Sequence, residues 1–177
     1  MKLPEKWPWY LGGAAVLLLV LQPKKAHARH LGPSYDAGVD ALTRMILAET
    51  GFKSSEPEMA QIIFIALNRA QQWGIPVTQV VNPTGYAPGQ AWTTGAVYRS
   101  GFERAPTWAA WRPARMFVKR VLRGAYPNMG FRLFVHPGGM PRPPCAANRI
   151  EASTIAGRRC IPRWTARGTV VGRGVFA

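Results

Sequence analysis

Leu42-Thr-Arg-Met-Ile-Leu-Ala-Glu49-Thr-Gly51 reads as the end of an amphipathic helix, and its last inward position is a carboxylate. Val39, Leu42, Ile46 and Glu49 recur at helical spacing, so Glu49 stands where the stripe calls for an apolar residue. Gly51 is the expected helix stop, which places Glu49 in the last turn. Burial and the negative helix end both favour the protonated form of a carboxyl there. A carboxylic acid kept protonated near neutral pH is what general-acid chemistry needs. Two plainer readings fit the same residues: a glutamate capped by a nearby arginine, or one turned to solvent.

Working outward, the first helix is expected from about Ser34 to Thr50. Ser55 and Glu58 have the spacing of a capping box and open a second helix that runs to about Trp73. Met59, Ile62, Ile63, Phe64, Ile65, Ala66 and Leu67 leave this helix apolar nearly all round, which predicts a buried central helix. Asn68 and Arg69 need partners at its far end, and Gly74-Ile75-Pro76 stops it. A Gly- and Pro-rich loop follows from Asn82 to Gly95 and carries Tyr86, Gln90, Trp92 and Thr93. Such side chains line sugar sites, although plain loop packing uses them too. Thr107 or Pro113 starts a further helix with Ala114, Phe117, Val118 and Val121 inward. Arg115, Lys119, Arg120 and Arg123 form its basic face, either solvated or tracking an anionic polymer. Phe131 to His136 and Thr169 to Phe176 read as short extended segments.

The whole chain has 177 residues, 47% of them hydrophobic, which suffices for one domain with a real core. With 23 Lys and Arg against 8 Asp and Glu, its formal charge is +15. That excess points to polyanionic surroundings, whether nucleic acid, acidic lipid, lipopolysaccharide or anionic wall polymers. At the N-terminus, Lys2 and Lys6 precede the apolar run from Trp9 to Leu21, a membrane-targeting element shorter than a comfortable span. Ala26-His27-Ala28 has the small-x-small form of a signal-peptidase site, while Lys24 and Lys25 before it suit an uncleaved anchor. Either way the expected location is exported: periplasmic or cell-envelope, secreted or anchored. Cys145 and Cys160 lie in a Pro-, Gly- and Arg-rich stretch, where a disulfide fits an oxidising compartment and two buried free thiols are the alternative. His27, His30 and His136 are scattered, and no Cys/His cluster has metal spacing, so neither a metal nor another cofactor is expected.

Taken in order, these pieces resemble the cell-wall hydrolases of the spore-cortex-lytic type, which are lytic transglycosylases with a lysozyme-related fold. The resemblance covers Ala41 to Ala177. Ala48-Glu49 and Leu67-Asn68-Arg69 match the family's opening motif, and Tyr86-Ala-Pro-Gly89 with Trp92-Thr93 matches its loop. Phe134-Val135-His136-Pro137 matches a later strand end, and Trp164 with Gly172-Arg-Gly-Val-Phe176 matches the terminal element. The chain departs from the pattern at three places. Lys53-Ser54 stands where a second acid is common, Gly174 replaces a terminal histidine, and Trp92 replaces a phenylalanine.

The resemblance implies an α+β, mainly α-helical fold: a lysozyme-like single domain with a buried central helix and a short β element. That domain would occupy residues 31–177, preceded by the targeting segment at residues 1–30. It implies cleavage of peptidoglycan glycan strands, with Glu49 as both acid and base and with Tyr86, Gln90, Trp92, Thr93 and His136 holding the glycan. Scarce carboxylates agree with this, because ordinary glycosidases use two and a lytic transglycosylase uses one. The expected partners are glycan strands and an anionic wall or membrane surface. Nucleic acid is disfavoured by the export signal and by the absence of a recognised nucleic-acid motif. Two other classes compete: a basic polyanion-binding module, and a non-catalytic wall-binding or structural protein of an envelope or phage particle.

Overall fold

A computed structural model describes residues 30–84, 96–135, 142–147, 149–154, 157–163, 165 and 168–176. The protein is mainly helical with a small β component, an α+β arrangement. Helix α1 (Tyr35–Thr50) starts where the Ser34 hydroxyl accepts a hydrogen bond from the Ala37 amide at 3.1 Å. It stops where Gly51 turns left-handed at φ 58° and donates its N–H to the Leu47 carbonyl. Val39, Leu42, Met45, Ile46 and Leu47 are fully buried, and α1 touches every other helix of the described chain.

Helix α2 (Glu56–Trp73) is buried without interruption from Glu58 to Leu67 and again at Ala70, ending at a left-handed Gly74. Its all-round apolar surface leaves no solvent face over that stretch, as the absence of a clear stripe predicts. The short α3 (Val77–Val80) follows, then α4 (Ala96–Arg104), a 3₁₀ turn (Ala105–Thr107) and α5 (Trp111–Leu122). Among the described residues, no helix is long and apolar enough to cross a membrane.

Sequence reasoning missed α4, because it buries only Tyr98 and Gly101 and carries no continuous apolar stripe. It also displaced the start of α5, which opens at Trp111 with Pro113 inside its first turn. The inward set Ala114, Phe117, Val118 and Val121 is buried as its spacing requires. The outward basic set is not simply solvated. Arg115 pairs with Asp36 at 2.7 Å and with Asp40 at 2.6 Å, and Lys119 approaches Asp36 at 3.7 Å. Arg120 and Tyr126 both donate to the Glu56 carboxylate. This face therefore fastens α5 to the starts of α1 and α2, and Arg123 remains exposed beyond it.

The polar residues of α2 dictate where the chain runs after α5. Gln61 Nε2 donates to the Pro127 carbonyl at 2.9 Å, and its Oε1 accepts from the Met129 amide at 3.3 Å. Asn68 and Asn128 exchange amide hydrogen bonds at 3.2 and 2.9 Å, and Asn68 Nδ2 also donates to the Phe131 carbonyl at 2.9 Å. Arg69 Nε donates to the Arg132 carbonyl at 3.0 Å. An irregular segment is thus laid along α2 by side chains that would otherwise be desolvated without partners.

Strand β1 (Phe134–Val135) continues from that segment into a three-stranded antiparallel sheet of order β1-β5-β4, with β4 (Thr169–Val171) and β5 (Gly174–Phe176) forming a hairpin. Strands β2 (Arg149–Thr154) and β3 (Gly157–Pro162) pair as a separate antiparallel hairpin, which the sequence reading lacked. Cys145 and Cys160 are joined, with Cα atoms 5.3 Å apart and a separation of 15 residues. Cys160 on β3 is 1% exposed, so the bridge ties the incoming chain to the inner side of this hairpin.

The capping box does not form. Ser55 occupies the N-cap of α2 without a side-chain cap bond, and Glu58 is fully buried. Glu58 Oε2 accepts the backbone N–H of Arg173, in the β4–β5 turn, at 3.1 Å. Gly172 makes that approach possible: it is left-handed at φ +61°, and a Cβ there would fall on Glu58 Oε2 and within 2.6 Å of Ser55 Oγ.

Two outcomes follow from this packing. Gly172→Ala combines a left-handed non-glycine with that collision and should lower stability by about 1–3 kcal/mol in denaturant unfolding; an unchanged midpoint would show that the hairpin does not sit on Glu58. Reduction of Cys145–Cys160 should cost about 3 kcal/mol at most in the chain-entropy picture and loosen β2–β3 before the helices. Amide exchange with and without reductant checks the order, and full thiol labelling of the denatured, unreduced protein would rule the bridge out.

Candidate functional site

Glu49 lies in the last turn of α1, half-buried, where α1, α2 and α4 meet. The contact of α1 with α4 is close because Gly101 faces Ala48: a Cβ at position 101 would stand 3.2 Å from the Ala48 Cα and 3.3 Å from its Cβ. One turn earlier, Arg44 Nη1 donates to the carbonyls of Phe102 at 3.2 Å and Glu103 at 3.3 Å. Its guanidinium also lies over the rings of Phe102 and Trp111, at 5.8 and 6.0 Å. Residues 44 and 48 of α1 thus hold α4 in place, and the next residue is Glu49.

Two side chains share the electrostatic environment of Glu49. Arg69, near the C-terminal end of α2, is held below the ordinary guanidinium range by burial, a shift that the Glu49 charge opposes. Tyr98 on α4 is 6% exposed, and burial pushes its phenol well up, with the Glu49 charge adding in the same direction. Its hydroxyl donates to the Val81 carbonyl at 2.7 Å. Arg69 is anchored separately, through Nε to the Arg132 carbonyl and over the Trp73 ring at 5.9 Å. Glu49 is thus within electrostatic reach of a cation held by a main-chain carbonyl and of a buried phenol.

The sequence singled out Glu49 and, through the Leu67-Asn68-Arg69 motif, its neighbour Arg69. It did not single out Tyr98. The available signal was the spacing of Tyr98, Gly101 and Ala105, all buried at i, i+3 and i+7. Tyr86, Gln90, Trp92, Thr93 and His136 lie outside the described residues. The segment that carries the first four is flanked by Thr84 and Ala96, and the Tyr98–Val81 hydrogen bond ties together the chain on its two sides.

Five other acids are committed elsewhere, and Glu103 on α4 is exposed. Asp36 and Asp40 serve Arg115, and Glu151 pairs with Arg158 across the β2–β3 hairpin. Hydrogen bonds from Tyr126 and then Arg120 hold Glu56 below the usual carboxyl range, so it stays ionised near neutral pH. Glu58 is turned to the β4–β5 hairpin. Among the described residues, no group of three or more His, Cys, Asp or Glu side chains could hold a metal ion. No protein-family model, curated protein or solved structure matches this chain.

Proposed function

We propose that the chain cleaves the glycan strands of bacterial cell wall with Glu49 as its single acid/base, as a lytic transglycosylase on a lysozyme-like scaffold. The observation that carries the reading is the place of Glu49 in the last turn of α1, where its charge acts on the side chain of Arg69 and the buried phenol of Tyr98, while Asp36, Asp40, Glu56, Glu58 and Glu151 fasten the fold.

In this mechanism the Glu49 carboxylic acid gives its proton to the glycosidic oxygen as the bond from that oxygen to the sugar C1 breaks. The 6-hydroxyl oxygen of the same sugar then bonds to C1, and its proton returns to the Glu49 carboxylate. The product is an anhydro sugar, no water is consumed, and the acid is regenerated. Arg69 acts by stabilising the carboxylate between the two proton transfers. The anhydro product distinguishes this route from hydrolysis, which requires a second carboxylate to direct water.

The setting that this activity requires is the cell envelope, reached through the targeting segment of residues 1–30, with peptidoglycan strands and an anionic wall as partners. A non-catalytic wall-binding role would use the same surface without turnover.

Glu49→Gln keeps the shape of the side chain and removes the transferable proton. It should lower release of muropeptides from purified wall at least 10²-fold with an unchanged melting temperature. Mass spectrometry of the material released by the parent protein should find anhydro ends. Wild-type clearing by Glu49→Gln in a zymogram would remove Glu49 from the mechanism.

A further inference from the structure

A cavity of about 440 Å³ opens beside the C-terminal half of α2, lined by Asn68, Gln71, Gln72, Gly130 and Arg132. We infer that it is a glycan subsite, in which Gln71, Gln72 and Arg132 bind an N-acetylated sugar of the strand next to the unit held at Glu49. The inference rests on the glycan-cleaving function proposed above and extends it to residues that neither motif nor composition had marked.

The chemistry of the lining selects the ligand class. Asn68, Gln71 and Gln72 lie at i, i+3 and i+4, on one face of α2. Carboxamides both donate and accept, which suits sugar hydroxyls and acetamido groups. Among the described lining residues none is a carboxylate that would attract a cation and none has a large apolar side chain that would receive an acyl chain. Its one charge, Arg132, offers a planar fork suited to a carboxylate such as the lactyl or stem-peptide group of wall glycan.

The opposite wall is prebuilt. Asn128 Oδ1 accepts from the Gly130 amide at 2.9 Å, and the Asn68–Asn128 pair with the Asn68 bond to the Phe131 carbonyl fixes segment 128–132 against the helix. Those bonds occupy Asn68. The side chains of Gln71, Gln72 and Arg132 make no hydrogen bond or ion pair among the described residues, and all three are exposed. Their binding groups therefore remain available while their backbone is fixed. The cavity is linked to the candidate site through Arg132, which lines it and whose carbonyl accepts from Arg69 Nε at 3.0 Å, the side chain on which the Glu49 charge acts.

The test uses the full chain in the Glu49→Gln background, titrated calorimetrically with a β-1,4-linked N-acetylhexosamine tetrasaccharide and sedimented with purified wall at 0.3 M salt or above, roughly, where diffuse attraction is screened. The triple substitution Gln71→Ala, Gln72→Ala and Arg132→Ala should weaken both at least about tenfold with an unchanged melting temperature, since no intramolecular bond is lost. Arg132→Lys, which keeps the charge and loses the fork, should weaken wall binding several-fold. Arg112→Gln on α5 should change neither. With Glu49 restored, the triple variant should raise KM on wall strands with kcat nearly unchanged.

Parent-like binding by the triple variant, while Glu49→Gln still abolishes cleavage, overturns the subsite and leaves the function standing. Weakened binding with no cleavage by the parent supports the subsite and overturns the catalytic assignment. Absence of glycan binding by the parent chain overturns both.

Discussion

Burying α2 on all sides from Glu58 to Leu67 is the constraint from which the rest of the architecture follows. A helix that is apolar all round gains its stability only if other elements enclose it completely, but this one also carries Glu58, Gln61, Asn68 and Arg69 along its length. Each of these needs a partner where water has been excluded. Arg173 meets Glu58, the segment around Pro127 to Met129 meets Gln61, and residues 128–132 meet Asn68 and Arg69. The C-terminal third of the chain is consequently not a loose appendage. It is placed by polar groups of a helix about a hundred residues earlier for Arg173 and about sixty earlier for the others, and apolar contacts fill in around these bonds.

Both long helices could be read because their signals are local: Ser34 before α1, a repeating apolar pattern, and Gly51 and Gly74 just beyond the ends. The site carboxylate was legible for the same reason, as a misfit in a stripe. Helix α4 was not, because it buries only Tyr98 and Gly101, with Phe102 half-buried beside them, and a nine-residue helix with polar composition resembles a loop in any window. The β2–β3 hairpin was hidden because Arg158 and Arg159 are adjacent and break the alternation in β3, while β2 offers only Ile150 and Ala152 as apolar positions.

Glu58 shows a different failure. Ser55 and Glu58 satisfy the spacing rule for a capping box, yet the carboxylate has turned inward to the backbone of a distant turn. The local rule was outcompeted by a tertiary one, and nothing near Glu58 in sequence announces it. The clue lies at Gly172, where only glycine permits both the left-handed turn and the close approach.

The same distinction governs the charge. Arg115, Lys119 and Arg120 look like a binding face when α5 is read alone, but acids from α1 and α2 spend much of that charge internally. The net positive field must then come largely from arginines scattered over the rest of the surface, among them Arg99, Arg104, Arg112, Arg123 and Arg173, all exposed. Dispersed charge of this kind attracts a polyanionic matrix at long range and is screened beyond roughly 8 Å at physiological salt, without specifying which bond is cut. Specificity requires fixed groups at short range, and near Glu49 those are Arg69 and Tyr98, each held by a main-chain carbonyl. Long-range attraction and short-range fixed geometry therefore come from different residues in this molecule.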